Sequence, residues 1–169
     1  MEVFDGIRTL LAVRQYQDAP VPEATVRRIV EAARLTGSAM NAQPWHFIVI
    51  EDRDTLGRLG RLARSGPYVA QSSLAIVVAV EKNNRFALSD ASRAIQSMML
   101  TAWAEGVGSN WTGFAGMDQV RELLEIPGTY DVIAVVPFGY PAEARKGTRK
   151  DREPATEVVS RERFGRPFE

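Results

Sequence analysis

Apolar residues recur along this chain at two spacings, and each spacing predicts a type of secondary structure. Apolar positions three and four residues apart, the period of a helix, define a series of amphipathic segments. The helices predicted in this way are residues 3–11, 22–37, a segment that begins at 52, 89–105 and 117–125. Short apolar runs bounded by turn residues predict strands at 48–50, 74–80 and 132–136. We expect the first helix to pack its apolar side inward.

Some of these segments carry more specific expectations. Residues 74–80 are apolar without interruption, which indicates a central strand buried on both faces. The helix 89–105 is apolar around much of its circumference, so we expect it to be buried on several sides, within the domain or at a subunit interface. Pro137 follows the last predicted strand and cannot donate a ladder hydrogen bond, which predicts an edge or a bulge at that point.

A polar loop at the mouth of the first predicted strand is the most informative stretch. It has the sequence S-A-M-N-A-Q-P-W over residues 38–45. Pro44 cannot donate a ladder hydrogen bond and biases Gln43 toward an extended backbone, so the polar side chains before it lie on a loop. Taken alone, Q-P-W favours a structural loop with a packed tryptophan. A ligand site here therefore depends on what other segments contribute.

Composition narrows the class of protein. The 169 residues are 45% hydrophobic and 25% charged, which fits a single domain over residues 1–169 with a substantial core. Lys plus Arg and Asp plus Glu both number 21, so no overall field attracts nucleic acid or an anionic membrane. No apolar run reaches membrane-spanning length, and residues 1–5 lack the features of a signal peptide. We expect a cytoplasmic protein that binds neither nucleic acid nor membrane.

Reactive side chains are scarce, and basic residues cluster in two places. The chain has no Cys and one His, which excludes disulfides, thiolate chemistry and a His-based metal site. Arg58, Arg61 and Arg64 share one side of a predicted helix, where acidic neighbours and the lack of interleaved aromatics favour a solvated face over a nucleic-acid stripe. The dense basic block at 145–152 is either a solvated tail or a local anion site.

Several segments, taken together, resemble one known family. Residues 38–45 have the pattern S-x-x-N-x-Q-P-W, and residues 106–113 read G-V-G-S-N-W-T-G. Residues 150–154 read K-D-R-E-P, while Arg14 and Tyr16 follow the first amphipathic helix. Taken in chain order, and over nearly the whole chain, these segments together resemble the nitroreductase family of FMN flavoproteins.

The resemblance implies a fold, an assembly and a reaction. The fold would be α+β, with a mainly antiparallel central sheet flanked by helices, in an intertwined homodimer with cofactor sites between the subunits. Residues 140–169 would form a basic C-terminal extension that reaches the cofactor and the partner subunit. The cofactor would be FMN, reduced by NAD(P)H and reoxidised by a nitroaromatic, quinone or similar acceptor in a ping-pong mechanism. The flavin would carry the chemistry, so no catalytic side chain and no metal ligand is expected.

The resemblance also assigns cofactor-binding residues within one chain. Lys150 and Arg152 would hold the FMN phosphate, and Arg14 would reach the ribityl chain or the N1/O2 edge of the ring. Residues 10–12 read L-L-A where the family has arginine and serine side chains that help to hold the phosphate. Each such charge-assisted hydrogen bond is worth about 1.5–3 kcal/mol. This departure motivates an alternative, a flavin-binding or regulatory protein of the same fold with weak or no turnover.

The remaining assigned residues lie on the polar loop and on the glycine-rich segment. The loop would meet the flavin of the partner chain through Ser38, Met40 and Asn41. Thr112 and Gly113 would approach the redox face of the ring, because a glycine lets the backbone come close to a flat ligand. Trp111 is either a wall of that site or part of the core.

Overall fold

Four antiparallel strands form the central sheet of the computed structural model, which describes residues 1–113, 115–143 and 150–168. They are β1 (Trp45–Ile50), β2 (Leu74–Glu81), β3 (Gly108–Ser109) and β4 (Tyr130–Gly139), and their order across the sheet is β1-β2-β4-β3. The helices are α1 (Val3–Thr9), α2 (Glu23–Arg34), α3 (Arg53–Leu62), α4 (Ala87–Ala104), α5 (Met117–Leu123) and α6 (Ala155–Val158). Short 3₁₀ turns lie at Ala39–Asn41 and Pro67–Gln71.

Helices cover both faces of this sheet. On one face, Ile76 and Val78 of β2 belong to a buried cluster with residues of α2 and α4. On the other face, Ala75 and Val77 belong to a cluster with residues of α3 and α5. Successive strand residues point to opposite faces, so β2 is buried on both sides, as its uninterrupted apolar sequence predicts. The predicted α+β fold with an antiparallel sheet is confirmed.

The long helix α4 is buried as expected, although it begins at Ala87, two residues earlier than predicted. Its fully buried residues include Ala91, Ala94, Ile95, Met98 and Ala102. They pack against β2 and β4 within the same chain. Within the described part of the chain, none of the helices has the length and hydropathy needed to cross a membrane.

Helix α1 differs from the prediction. Its apolar residues Val3, Phe4 and Ile7 are 76%, 73% and 50% exposed, and its buried residue is Gly6. The helix touches α4 through Gly6 and through Thr9, whose Oγ1 accepts a 3.0 Å hydrogen bond from the indole N–H of Trp103. Inward packing of the apolar side is therefore wrong for this chain on its own, because a different side of α1 rests on α4.

Strand β4 continues past Pro137 and lies inside the sheet, so the predicted edge is wrong; the irregularity in its pairing with β2 lies at Val78 and Ala79 rather than opposite Pro137. The Val135 N–H donates to the carbonyl oxygen of Thr112 at 2.7 Å. Pro137, two residues further on, directs its nitrogen toward the same side, where the chain between Ser109 and Thr112 has left the regular ladder. The missing proline N–H therefore removes no hydrogen bond from the β2–β4 pairing.

Candidate functional site

The polar loop at residues 38–43 has a strained, exposed backbone. Met40, Asn41 and Gln43 have φ values of 53°, 55° and 51°, a left-handed conformation that side chains with a Cβ rarely adopt. The Gln43 N–H donates to Ser38 Oγ at 2.9 Å, which closes the loop on itself. Met40 is 88% exposed, and Pro44 is buried at the start of β1. The loop thus presents polar and thioether groups to the surroundings of the chain.

The glycine-rich segment packs against the chain's own sheet. Thr112 pairs with Val135 of β4 through two backbone hydrogen bonds of 3.1 and 2.7 Å. A Cβ on Gly113 would lie 2.7 Å from the carbonyl oxygen of Ile133, so this position requires glycine for close approach to β4. Trp111 is half-buried and packs against the core on the α2 and α4 side of the sheet. The glycine signal is therefore explained by internal packing as well as by a flat ligand.

A partly buried polar cluster surrounds Thr112. Its hydroxyl lies 2.6 Å from that of Ser65, and a Cβ on Gly66 would clash with the Thr112 side chain. Next to it, the Asn110 side-chain amide donates to the hydroxyl of Tyr68. These contacts fix the turn after α3 against the glycine-rich segment, and the sequence motifs did not point to Ser65 or Tyr68.

Arg14 lies on an extended segment that runs beside the ends of β3 and β4. Val13 donates its N–H to the carbonyl oxygen of Ser109 at 2.9 Å, and Tyr16 forms a bridge with Pro141. Val13 and Tyr16 point into the core, whereas Arg14 is exposed. Arg14 forms no ion pair among the described residues, so its charge is available to a ligand.

Lys150 lies beside the C-terminal half of α1, and Arg152 follows it two residues further along the chain. The Lys150 ammonium donates to the carbonyl oxygen of Ile7 at 2.5 Å. Burial lowers the pKa of Lys150 below its ordinary value, and the positive charge of Arg152 lowers it further. Neither cation has a carboxylate partner among the described residues, which is the electrostatic situation of an anion site. The other basic residues of the predicted block, at 145, 146 and 149, lie outside the described ranges.

The predicted site residues fall into two groups at opposite ends of α4. The loop at 38–43 contacts Asp90 near the start of the helix, through the Ala39 N–H. The group of Arg14, Lys150 and the glycine segment surrounds the other end, where Trp103 bonds to Thr9 of α1. The 13 residues from Asp90 to Trp103 span about 20 Å at 1.5 Å per residue. One chain therefore does not bring the two groups together.

Comparison with known proteins identifies the class. The model of the Nitroreductase family matches residues 8–83 and 63–140. A relative from Methanothermobacter thermautotrophicus, provisionally named an NADH dehydrogenase/NAD(P)H nitroreductase, is 36% identical over 157 residues, which cover 88% of this chain and 82% of the relative. The chain belongs to the Nitroreductase family.

Other relatives and solved structures agree with this assignment. An NAD(P)H-dependent FMN reductase from Bacillus subtilis is 22% identical over 96% of this chain and 74% of its own length. The structure of an FMN-dependent nitroreductase from Clostridium difficile superposes with a TM-score of 0.88 at 26% identity, covering 95% of this chain and 99% of that protein. The architecture described above is thus the nitroreductase fold.

Tyr16, which anchors the segment that carries Arg14, generates a prediction about pH. Its hydroxyl donates to the carbonyl oxygen of Val13 at 2.7 Å, and burial raises the pKa of Tyr16 well above its ordinary value of 10.0. The folded chain keeps this hydroxyl protonated where the unfolded chain ionises, so its contribution to stability is present below about pH 10 and is lost as the pH rises further. In Tyr16→Phe, we expect the free energy of unfolding to fall by about 1 kcal/mol at neutral pH.

Above about pH 10, the unmutated protein should lose up to roughly 1.4 kcal/mol more per pH unit than Tyr16→Phe does. Urea unfolding of both proteins at neutral pH and at several pH values between about 10 and 11 measures how the free energy of unfolding changes with pH in each. Identical slopes for the two proteins would show that Tyr16 does not resist ionisation in the folded state.

Proposed function

We propose that this protein is an FMN-dependent oxidoreductase that passes hydride from NAD(P)H to a nitroaromatic, quinone or similar acceptor. Family membership supports an NAD(P)H oxidoreductase. The names of the Bacillus subtilis FMN reductase and the Clostridium difficile FMN-dependent nitroreductase support FMN as the cofactor. In this proposal the protein is a homodimer, and each cofactor site contains residues of both chains.

The observation that carries this proposal is the separation of the site residues along α4. Arg14, Lys150 and Arg152, here called the basic group, lie towards one end of α4, and the strained loop at 38–43 contacts Asp90 near the other end; Asp90 and Trp103 are about 20 Å apart along the helix axis. A second copy related by a two-fold axis would bring the loop of each chain to the basic group of the other. Ser38, Met40 and Asn41 then face the flavin from the partner chain.

Exposed apolar surface supports the homodimer. The apolar side of α1 is open, and so is the arm, which we define as residues 151–168. Every residue of the arm is exposed, including Val158, Phe164 and Phe168. Clustered exposed apolar side chains commonly mark an interaction surface. We propose that the arm and α1 pack on the second copy, so that residues 140–169 are the extension that reaches cofactor and partner.

The basic group fits the phosphate of FMN. Lys150 and Arg152 supply two cations without a carboxylate partner among the described residues, and burial and the charge of Arg152 lower the pKa of Lys150. Residues 10–12 contribute leucine and alanine side chains, which offer no donor. Phosphate binding therefore rests on fewer charge-assisted hydrogen bonds, and we place its main contribution on Lys150 and Arg152.

The chain's own residues bind and orient, and the cofactor carries the electrons. FMN, when bound, would supply the hydride chemistry, with NAD(P)H and the acceptor using one site in turn, a ping-pong sequence. Arg14 would hold the ribityl chain or the N1/O2 edge of the cofactor, where its positive charge would favour the reduced form. Thr112 and Gly113 would set the backbone beside the redox face. No nucleophile and no metal ligand takes part.

The alternative is a flavin-binding or regulatory protein of the same fold with weak or no turnover. Its supporting observation is the loss of donors at residues 10–12. Reduction of the bound flavin by NAD(P)H and transfer to a second substrate distinguish the two hypotheses.

The phosphate site generates a mutational prediction. Lys150→Ala and Arg152→Ala should each weaken FMN binding by roughly 10-fold to 100-fold, because a charge-assisted hydrogen bond is lost in each. Arg61→Ala is the matched control, since Arg61 lies on an exposed side of α3. Fluorescence titration of FMN with the apoproteins measures the three affinities. Equal effects in all three variants would show that the basic segment is a solvated tail.

The homodimer generates a prediction about mass in solution. Light scattering at micromolar concentration should report twice the chain mass of 18.7 kDa. Replacing Phe164 and Phe168 together by serine should increase the fraction of monomer on dilution, because apolar contacts of the arm are lost. Arg163→Ser on the same arm is the control. A stable monomer of the unmutated protein would contradict the shared site.

The reaction generates a kinetic prediction. Initial rates with NADH or NADPH varied against a quinone should give parallel double-reciprocal lines, the signature of a ping-pong mechanism. His46→Ala should keep its kcat, because the proposed mechanism uses no side chain for the chemistry. His46 is exposed on β1 and packs edge-on against Tyr130, with ring centroids 6.5 Å apart. Intersecting lines would refute the ping-pong sequence, and loss of activity in His46→Ala would refute chemistry carried by the flavin alone.

A further inference from the structure

A buried carboxylate ties the polar loop to the first turn of α4. Asp90 is 1% exposed, and its Oδ2 accepts a hydrogen bond of 3.0 Å from the Ala39 N–H. Arg93, one turn further along α4, forms an ion pair with the other carboxylate oxygen. A buried carboxylate is costly unless it is paired and hydrogen-bonded, and Asp90 meets both conditions through the loop and Arg93.

The loop needs such an anchor because its backbone is strained. Left-handed φ values are unfavourable for residues with a Cβ, least so for asparagine, and the loop has them at Met40, Asn41 and Gln43. Such a conformation persists where the surrounding structure determines it. The Ala39 bond to Asp90 and the Gln43 bond to Ser38 are the described side-chain contacts that hold the loop's N–H groups.

Helix α4 devotes one face to this segment. Asp90, Arg93 and Ser97 are spaced at three and four residues, so they lie on the same side of the helix. Ser97 Oγ lies 2.8 Å from the donating hydroxyl of Thr36, just before the loop. The opposite side of α4 is buried in the core, which fixes the position of this polar face relative to the sheet.

We infer that Asp90 is a positioning residue for the cofactor: it holds the loop at 38–43 in the conformation that meets the FMN of the partner chain. This inference rests on the proposed function. It adds that the Asp90 bond orders the loop at 38–43 before the cofactor binds. If the loop is ordered before FMN binds, none of the binding free energy is used to order it. Apparent affinity falls in proportion to the fraction of molecules in the binding-competent conformation.

The test compares variants on the two sides of the Asp90 bond. Ala39→Pro removes the N–H donor and leaves the Asp90–Arg93 pair intact, and Ser38 has the extended backbone, with φ −128° and ψ 156°, that a residue before proline adopts. Asp90→Ala removes the acceptor, and Asp90→Asn keeps one. Asp52→Ala is the control, since Asp52 also accepts a backbone N–H, from Thr55 at 2.8 Å, but at the start of α3.

We expect Asp90→Ala and Ala39→Pro to raise the Kd for FMN on the order of tenfold or more. Asp90→Asn should recover most of the loss, and Asp52→Ala should lower the Tm without changing the Kd. Hydrogen exchange gives a readout independent of the flavin: the Gln43 amide should lose protection in Asp90→Ala and Ala39→Pro and keep it in Asp52→Ala.

Failure of this inference and failure of the proposed function give different results. An unchanged Kd in folded Ala39→Pro, or an equal rise in Asp52→Ala, would overturn the positioning role while the unmutated protein still binds FMN. Lack of FMN binding by the unmutated protein would overturn the proposed function and, with it, the role of the loop. Because Ala39→Pro leaves the buried pair in place, the test does not depend on Asp90→Ala folding.

Discussion

The packing of α4 on β2 and β4 is the contact on which both parts of the candidate site depend. Ile95 and Met98 are fully buried there, and burial of such side chains contributes about 1.5–3 kcal/mol each. The same helix binds the strained loop through Asp90 and touches α1 through Trp103. Because one helix carries both contacts, Asp90 and Trp103 hold them about 20 Å apart along its axis. That separation is the basis for the proposal that each site combines residues of two copies.

Much of the fold follows from local patterns of the sequence. The apolar run at 74–80 predicts the buried central strand, and helical spacing predicts α2, α3, α4 and α5. Packing of α1 was predicted incorrectly, since amphipathic spacing shows that a helix has an apolar side without showing which surface will cover it. The prediction from Pro137 was wrong for a related reason. A missing N–H weakens the pairing only on the side of the strand to which it would point, and the register with β2 determines that side.

The sequence indicates the parts of the candidate site that lie within a local motif. It does not indicate contacts between residues that are far apart along the chain. The proline and polar residues at 38–45 predict a loop, and the assignment of that loop to the cofactor comes from the family resemblance. The Asp90 bond to Ala39 joins positions 51 residues apart, and the Ser65 contact with Thr112 joins positions 47 apart, so no local pattern predicts either. At Gly113 the motif indicates contact with the flavin, whereas the structure gives a second reason for glycine. The backbone of Ile133 lies too close to leave room for a Cβ.

The central claim is that NAD(P)H delivers hydride to FMN held by this chain, despite the weaker donor set at residues 10–12. Anaerobic stopped-flow absorbance of the FMN-loaded protein tests it most directly, because reduction bleaches the yellow band of the flavin. We predict rapid bleaching on mixing with NADH or NADPH, and return of the colour when a quinone or nitroaromatic is added. Bleaching by dithionite but by neither nicotinamide would contradict the oxidoreductase function and favour a flavin-binding protein without turnover.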